Sequence, residues 1–327
     1  IVTSRRDLPI EVELEGISIK LAALDERSSI KLLRSVMAGR GPQFKDDMAA
    51  QLVKLCGYMP LPIRMLAANA ARLPDVSSIA SLLETVQADD SKRIELLFGK
   101  LSSFFDFHTS PSSDSLKELG ENAHLMESSG SIPVDPKAYD TEPARPPQEF
   151  ILSLSVFPAS FDLLAVSYLW GTSPKETGSI LQNLVDSNEV DLSQDKLRYS
   201  QNDLFKSWCQ KKALEVFGDD GILQWKSVFV NYFLSIMKKC TDFYSKHQVK
   251  QGLEILLLEG QNFEAAINYA LQINDLRVCA SFLNALNKFN AFFGPGEQLR
   301  WNKYKDLLNA NAAIVQMAAE LKITDEA

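Results

Sequence analysis

The sequence predicts a mainly α-helical chain with a small α/β remnant at the N-terminus. Its predicted order is a helical bundle, a winged helix and an α-solenoid. Three observations carry this. Apolar residues recur at three- and four-residue spacing along most of the 327 residues, the mark of helices with one buried face. One hairpin pattern, Val190–Leu192 and Leu197–Tyr199 around a polar turn at 193–196, follows three helical segments and precedes another. From Gly221 onward, amphipathic segments are separated by short breaks at Gly260, Asn274 and Gly294-Pro295-Gly296, as in stacked helix pairs of the tetratricopeptide kind.

The elements follow in order. Ile1 to Ser4 reads as a buried strand end and a polar turn, and Ser18 to Leu21 as a second weak strand after Gly16. Asp25 caps a helix to about Met37 with Ile30, Leu32, Leu33 and Val36 on its apolar face. Gly39-Arg40-Gly41-Pro42 breaks it, and a helix from about Phe44 to Leu55 follows. Gly57 is its stop signal, and Pro60 and Pro62 open the next helix, which runs to about Arg72. Two further helices are expected over 77–86 and 91–105. Residues 25–105 thus form one helical domain, with residues 1–24 as the remnant before it.

The segment 106–149 differs in kind. It holds seven of the chain's serines, six of its fourteen prolines, nine acids and three bases. So polar a stretch cannot offset its own ordering entropy, and it reads as a disordered linker or insertion. Asp114 to Met126 alone has helical apolar spacing, read as a transient helix. Order is expected to resume at Phe150. An apolar helix there ends at Pro158, and helices over 161–170 and 173–187, the hairpin, and a helix over 202–217 complete a domain at 150–217. Residues 218–327 form the repeats, in segments near 221–246, 247–258, 261–272, 275–288, 296–309 and 311–322.

Composition narrows the chemistry. The net charge is −8 and no basic stripe is present, which argues against nucleic-acid binding. No apolar run reaches the length of a membrane span. Cys56, Cys209, Cys240 and Cys279 are scattered, without metal or disulfide spacing. Reduced thiols and a cytoplasmic location are expected. His108, His124 and His247 lack ligand partners at metal spacing, so no metal site is expected. No Ser-His-Asp or Cys-His cluster marks a catalytic centre.

Two motifs point to a ligand. Thr3-Ser4-Arg5 ends an apolar strand, where α/β sheets bind ligands and where a fixed positive charge suits a phosphate. Val53-Lys54-Leu55-Cys56-Gly57-Tyr58-Met59-Pro60-Leu61-Pro62-Ile63 follows some fifty residues later. This second stretch resembles the GLPL motif of the NB-ARC family. That family comprises signal-transduction ATPases (STAND NTPases) such as plant resistance proteins and the apoptotic protease-activating factor. The order of motifs also fits, with Leu21–Leu24 and Leu32-Leu33 lying between the two. Tyr58 stands where a second Gly is usual, and Pro62 where Ala is usual.

The resemblance implies nucleotide-binding roles. Pro60, with Gly57 in the same motif, would pack on adenine, and Arg5 would read the γ-phosphate. Gln201-Asn202-Asp203 aligns with the family's Met-His-Asp at the start of the last helix of the winged helix. Asp203 is retained. Asn202 replaces the histidine that contacts ADP, and it cannot become cationic, so a weaker hold on ADP is expected.

The phosphate-cradling GxxxxGK[ST] loop and the acidic magnesium strand are missing from the sequence. The nearest decoy, Gly99-Lys100-Leu101-Ser102, has Ile94 and Leu101 at positions that need Gly and Ser/Thr. The chain therefore reads as a fragment that is not catalytic, and ADP or ATP would be held only by an intact parent, a slow ATPase. Leu256 to Ala266 resembles the Glu-x-x-Asn-Leu-x-x-Ala stretch that opens helical repeats in such proteins, read here as simple packing. The repeats would bind protein partners, and the intact parent would form homo-oligomers. The alternative is a winged-helix DNA-binding regulator with recognition helix 174–187, but Lys175 there is opposed by Glu176 and Asp186.

Overall fold

The computed structural model describes residues 23–37, 44–70, 98 and 147–325. Within them the chain is mainly helical, with one two-stranded antiparallel sheet. The expected strands before residue 22, the site residue Arg5 and nearly all of the segment 71–146 lie outside the described residues. So do the helices expected at 77–86 and 91–105, apart from Phe98, which is helical and buried.

Three helices form the first group: α1 (Glu26–Met37), α2 (Asp46–Leu55) and α3 (Pro60–Ala70). Asp25 caps α1 by accepting from the Ser28 N–H at 2.8 Å and its hydroxyl at 2.7 Å, as an N-cap carboxylate should. These hydrogen bonds hold its carboxyl below the ordinary range. Leu33, Leu52, Val53 and Ile63 carry the shared core. Arg34 pairs with Asp46 across the α1–α2 gap.

The next group begins at α4 (Pro147–Ser153), three residues ahead of the expected start at Phe150. A proline is tolerated in a first helical turn because its missing N–H has no helical partner there. A 3₁₀ turn at Leu154–Val156 follows, and Phe157 is extended before Pro158, as a residue before proline prefers. Then come α5 (Leu163–Trp170), capped by Asp162, and α6 (Pro174–Asp186), capped by Ser173. Trp170 fixes α5 on α4 by donating from Nε1 to the Phe150 carbonyl at 3.1 Å and to Ser153 Oγ at 3.0 Å.

Strands β1 (Asp191–Leu192) and β2 (Tyr199–Ser200) pair Asp191 with Ser200 and Leu192 with Tyr199. The second strand falls one or two residues later than the apolar pattern places it. Leu197 is exposed, so its apolar character does not mark a strand position. A bridge between Phe161 and Tyr199 extends the ladder, with N···O distances of 2.9 and 2.8 Å.

The helix expected to end at Phe217 does not end there. It continues as α7 (Asp203–Ser245), 43 residues long and bent at Gly218, where φ is 65° and ψ is −173°. Only glycine adopts this backbone region readily. The break expected between Phe217 and Gly221 is therefore a kink and not a loop. Trp225 packs edge-on against Phe217 across it, with centroids 5.1 Å apart, and donates to Glu149 of α4 at 3.1 Å.

α7 is the spine of the molecule. It packs against α4 and α5 on both sides of the kink, with Gln210 donating to the Ser155 carbonyl before it and Tyr232 tilted against Tyr168 after it, and it leads into the later helices, of which the first three pack on it. The later helices are α8 (Val249–Leu258), α9 (Gly260–Gln272), α10 (Leu276–Phe289), α11 (Pro295–Asn309) and α12 (Ala312–Asp325). Aromatic rings bind them: Phe233 of α7 lies edge-on to Phe263 of α9 at 5.8 Å, and Phe263 to Phe282 of α10 at 6.4 Å. One continuous core runs from Leu33 to Ala318. Among the described residues no helix is long and apolar enough to cross a membrane.

Candidate functional site

The Pro60 motif is built by two successive left-handed residues. Gly57 has φ 61° and Tyr58 has φ 58°. They reverse the chain after α2, and the Gly57 and Tyr58 N–H groups donate to the Lys54 and Val53 carbonyls at 3.0 and 3.1 Å. The last carbonyls of α2 are satisfied in this way. The Tyr58 carbonyl accepts from the Leu24 N–H at 3.0 Å, tying the entry of α1 to the turn. Pro60 is the exposed first residue of α3, while Pro62 is buried. The motif thus leaves Pro60 facing outward and uses Pro62 as core.

Asn202 and Asp203 form the N-terminus of α7. Asn202 Oδ1 accepts from the Leu204 N–H at 3.0 Å, so its side chain is an N-cap. Asp203 is exposed and lies 3.8 Å from Lys206. Gln201 is buried and donates to the Ile151 carbonyl at 3.3 Å and toward Cys209 Sγ at 3.9 Å, while its Oε1 has no hydrogen-bond partner. Together with Asp191, Ser200, Leu204 and Ser207 these residues line an open cavity of about 600 Å³.

One arginine brings the two motifs together. Arg64, one turn into α3 from Pro60, donates from Nη2 to Asn188 Oδ1 at 2.7 Å and lies 3.7 Å from Asp191. Asp191 also lines the cavity. The Pro60 helix is therefore docked on the rim of the cavity that Asn202 and Asp203 line. Gly57 and Pro60 themselves do not line it. Sequence reasoning passed over Arg64, because an arginine at this spacing carries no motif.

These residues offer a nucleoside diphosphate little to hold it. A helix N-terminus favours an anion. The lining, however, contributes two carboxylates, Asp191 and Asp203, and no lysine, arginine or histidine. Asn202 Oδ1 caps the helix, which leaves only its neutral amide NH2 as a donor toward an anion. Asn202 thus serves the helix, and the charge of the lining suits a neutral or cationic group better than a phosphate.

A second polar cluster lies behind the hairpin. Arg198, directly before β2, donates from Nη1 to Glu259 Oε1 at 2.5 Å and from Nη2 to Glu259 Oε2 at 3.0 Å. It also donates from Nε to Ser160 Oγ at 2.9 Å and from Nη2 to the Ser160 carbonyl at 2.7 Å. Asn262 donates to the same carbonyl at 2.9 Å and to Glu259 Oε2 at 2.7 Å. Burial opposes the Arg198 charge, but its hydrogen bonds and attraction to Glu259 outweigh this and raise its affinity for the proton. Nearby, burial pushes the Asp162 carboxyl up, against the pull of the Ala165 N–H.

Glu259 and Asn262 are the two polar positions of the Glu-x-x-Asn stretch noted in the sequence. The stretch is not simple helix packing, because its polar pair grips the hairpin. That it did so was not visible without knowing that Arg198 faces it.

The cysteines are not paired in disulfides among the described residues. All four are buried, and burial pushes Cys240 up to about 12 and Cys279 up to about 11. Among the described residues no group of His, Cys, Asp and Glu could hold a metal ion. A scan of protein-family models finds no match to the chain, and a search of curated proteins finds none.

Proposed function

We propose that the chain is the regulatory, non-catalytic part of a switch protein of the NB-ARC type, with a helical array that receives a protein partner. The observation that carries this is the Arg64 contact to Asn188 and Asp191. It joins the helix of the GLPL-like motif to the rim of the cavity lined by the stretch that aligns with the Met-His-Asp motif. The two stretches are remote in sequence. The succession α4 to α6, hairpin and first half of α7 supports a winged helix at 150–217. The stacked pairs from α8 to α12 support a tetratricopeptide-type array, whose natural use is a protein partner.

In this reading Pro60 would flank an adenine and Arg5 a terminal phosphate in the intact parent, which alone would hold ADP or ATP. The acidic lining beside Asn202 makes that hold weak. The DNA-binding alternative is less well supported. α6 offers Lys175 against Glu176 and Asp186, and Asp186 is itself bound by Gln182 at 2.8 Å.

The reading is tested on the product of the full natural reading frame that contains Ile1. A GxxxxGK[ST] loop and an acidic strand encoded before Ile1, with ADP binding that strengthens in Asn202→His, are expected. A full-length product with neither loop nor ADP binding would sink the proposal.

A further inference from the structure

The hairpin is too small to hold its own shape. Each strand has two residues, and a two-stranded ribbon of that size is marginal in water. Its position is set by what grips it. On one side the Phe161–Tyr199 bridge pairs β2 with the loop that precedes α5. On the other, Arg198 reaches the junction of α8 and α9, where it meets Glu259 in a two-pronged ion pair. Both side chains are mostly buried, at 14% and 10% exposure.

The cluster is closely matched. The Ser160 carbonyl accepts from both Arg198 and Asn262, and Glu259 Oε2 accepts from the same two residues. A planar guanidinium fits this fork and an ammonium does not. Glu259 also sits at the end of α8, where the chain turns into α9. The α8–α9 corner therefore holds Arg198 through Glu259, which Asn262 steadies from the same turn.

Arg198 is followed by Tyr199, Ser200, Gln201, Asn202 and Asp203. All but Tyr199 line the cavity. Through this short run, by way of the buried Tyr199 stacked on Phe161, the grip of the α8–α9 corner on Arg198 reaches the cavity wall. We propose that Arg198, Glu259 and Asn262 form a positioning clamp that couples the α8–α9 corner of the helical array to the shape of the cavity at Ser200–Asp203. A protein that engages that corner and loosens the clamp changes the cavity, and a ligand that reshapes the cavity changes the corner, because such coupling is reciprocal. The clamp does not depend on whether a nucleotide is ever bound, so it stands apart from the switch reading.

Hydrogen–deuterium exchange of the full chain tests this, comparing the wild type with Glu259→Gln and Arg198→Lys. Glu259→Gln keeps the shape and removes the charge. Arg198→Lys keeps the charge but cannot span Ser160 and Glu259 together. The expected result is exchange faster by roughly ten-fold or more in residues 191–204, the scale of a lost charged hydrogen bond. Protection in the second half of α7 and in α10 stays at the wild-type level. Unchanged exchange at 191–204 in both variants overturns the clamp. A rise of equal size throughout the chain also overturns it, since it would mark a general loss of stability. If one variant fails to fold, the other decides by the same two criteria.

Discussion

Arg64 and Asn188 are joined by a 2.7 Å hydrogen bond across 124 positions of sequence. Asn188 is itself left-handed, with φ 58°, so its side chain is presented by a turn as specific as the one that presents Pro60. The contact fixes how the first three helices sit against the turn that follows α6. Arg64→Met should keep the packing of the stem and lose the bond. The expected cost is about 0.5–1.5 kcal/mol, read as a lower urea midpoint at an unchanged slope. The more distant Asp191 partner adds little, because both groups are well exposed.

Gly57→Ala places a Cβ on a left-handed residue. The expected loss is about 1–2 kcal/mol, measured by the same denaturation. Tyr58 already bears that strain at φ 58°. Tyr58→Gly should therefore cost less than Gly57→Ala, although it removes a side chain that packs against the core.

Gly218→Ala should be destabilising for a different reason. A Cβ at this position would touch nothing within 4 Å. The cost is purely one of backbone conformation, about 1–3 kcal/mol. Relief by straightening the helix would break the Phe217–Trp225 contact. Tryptophan fluorescence that stays at the wild-type wavelength in a destabilised variant is expected, and an unchanged melting temperature would refute this account.

Asp162 gives a pH signature. Burial raises its folded-state pKa above the unfolded value. The native chain therefore holds this proton more tightly than the unfolded chain. The associated stability is fully present below about pH 4 and is lost as pH rises through the raised value. An asparagine in its place would cap α5 without titrating. In thermal melts, Asp162→Asn should gain on the wild type as pH rises from about 4 to 7. A difference that is constant over that range would contradict the assignment.

Asn202→Ala removes the cap of α7, at an expected cost of about 1 kcal/mol, and Asn202→Asp restores it. Circular dichroism melts of the two variants separate the capping role from any contact with a ligand.

Much of the helical order was legible because it rests on local signals. Asp25 and Ser173 cap helices, Pro60 opens one and Gly57 closes one, and each signal acts within a single turn of chain. The helix expected from 202 does begin there, though its start did not tell that the Asn202 side chain is its cap. What was not legible was long-range or backbone-specific. Gly218 looks like any helix stop until ψ is known. Leu197 looks like a strand residue until its exposure is known. Arg64 and Arg198 are ordinary surface arginines in sequence, and only the fold brings Asn188 to one and Glu259 to the other. Arg5 lies outside the described residues and stays an expectation of the sequence.

The bend at Gly218 has a mechanical consequence. A loose tether lets two bodies drift in distance and in twist. A bent rod keeps its two arms at a fixed separation at the joint, and bracing on both sides of the bend fixes their angle as well. The arm before Gly218 carries Asn202 and the cavity wall, and the arm after it carries the aromatic ladder to α10. Trp225 braces Phe217 and Glu149 at the elbow, and the unit of α4 and α5 holds one arm through Gln210 and Ser155 and the other through Tyr232 and Asp162, so the bend works as a bracket that sets the cavity wall at one angle to the helical array.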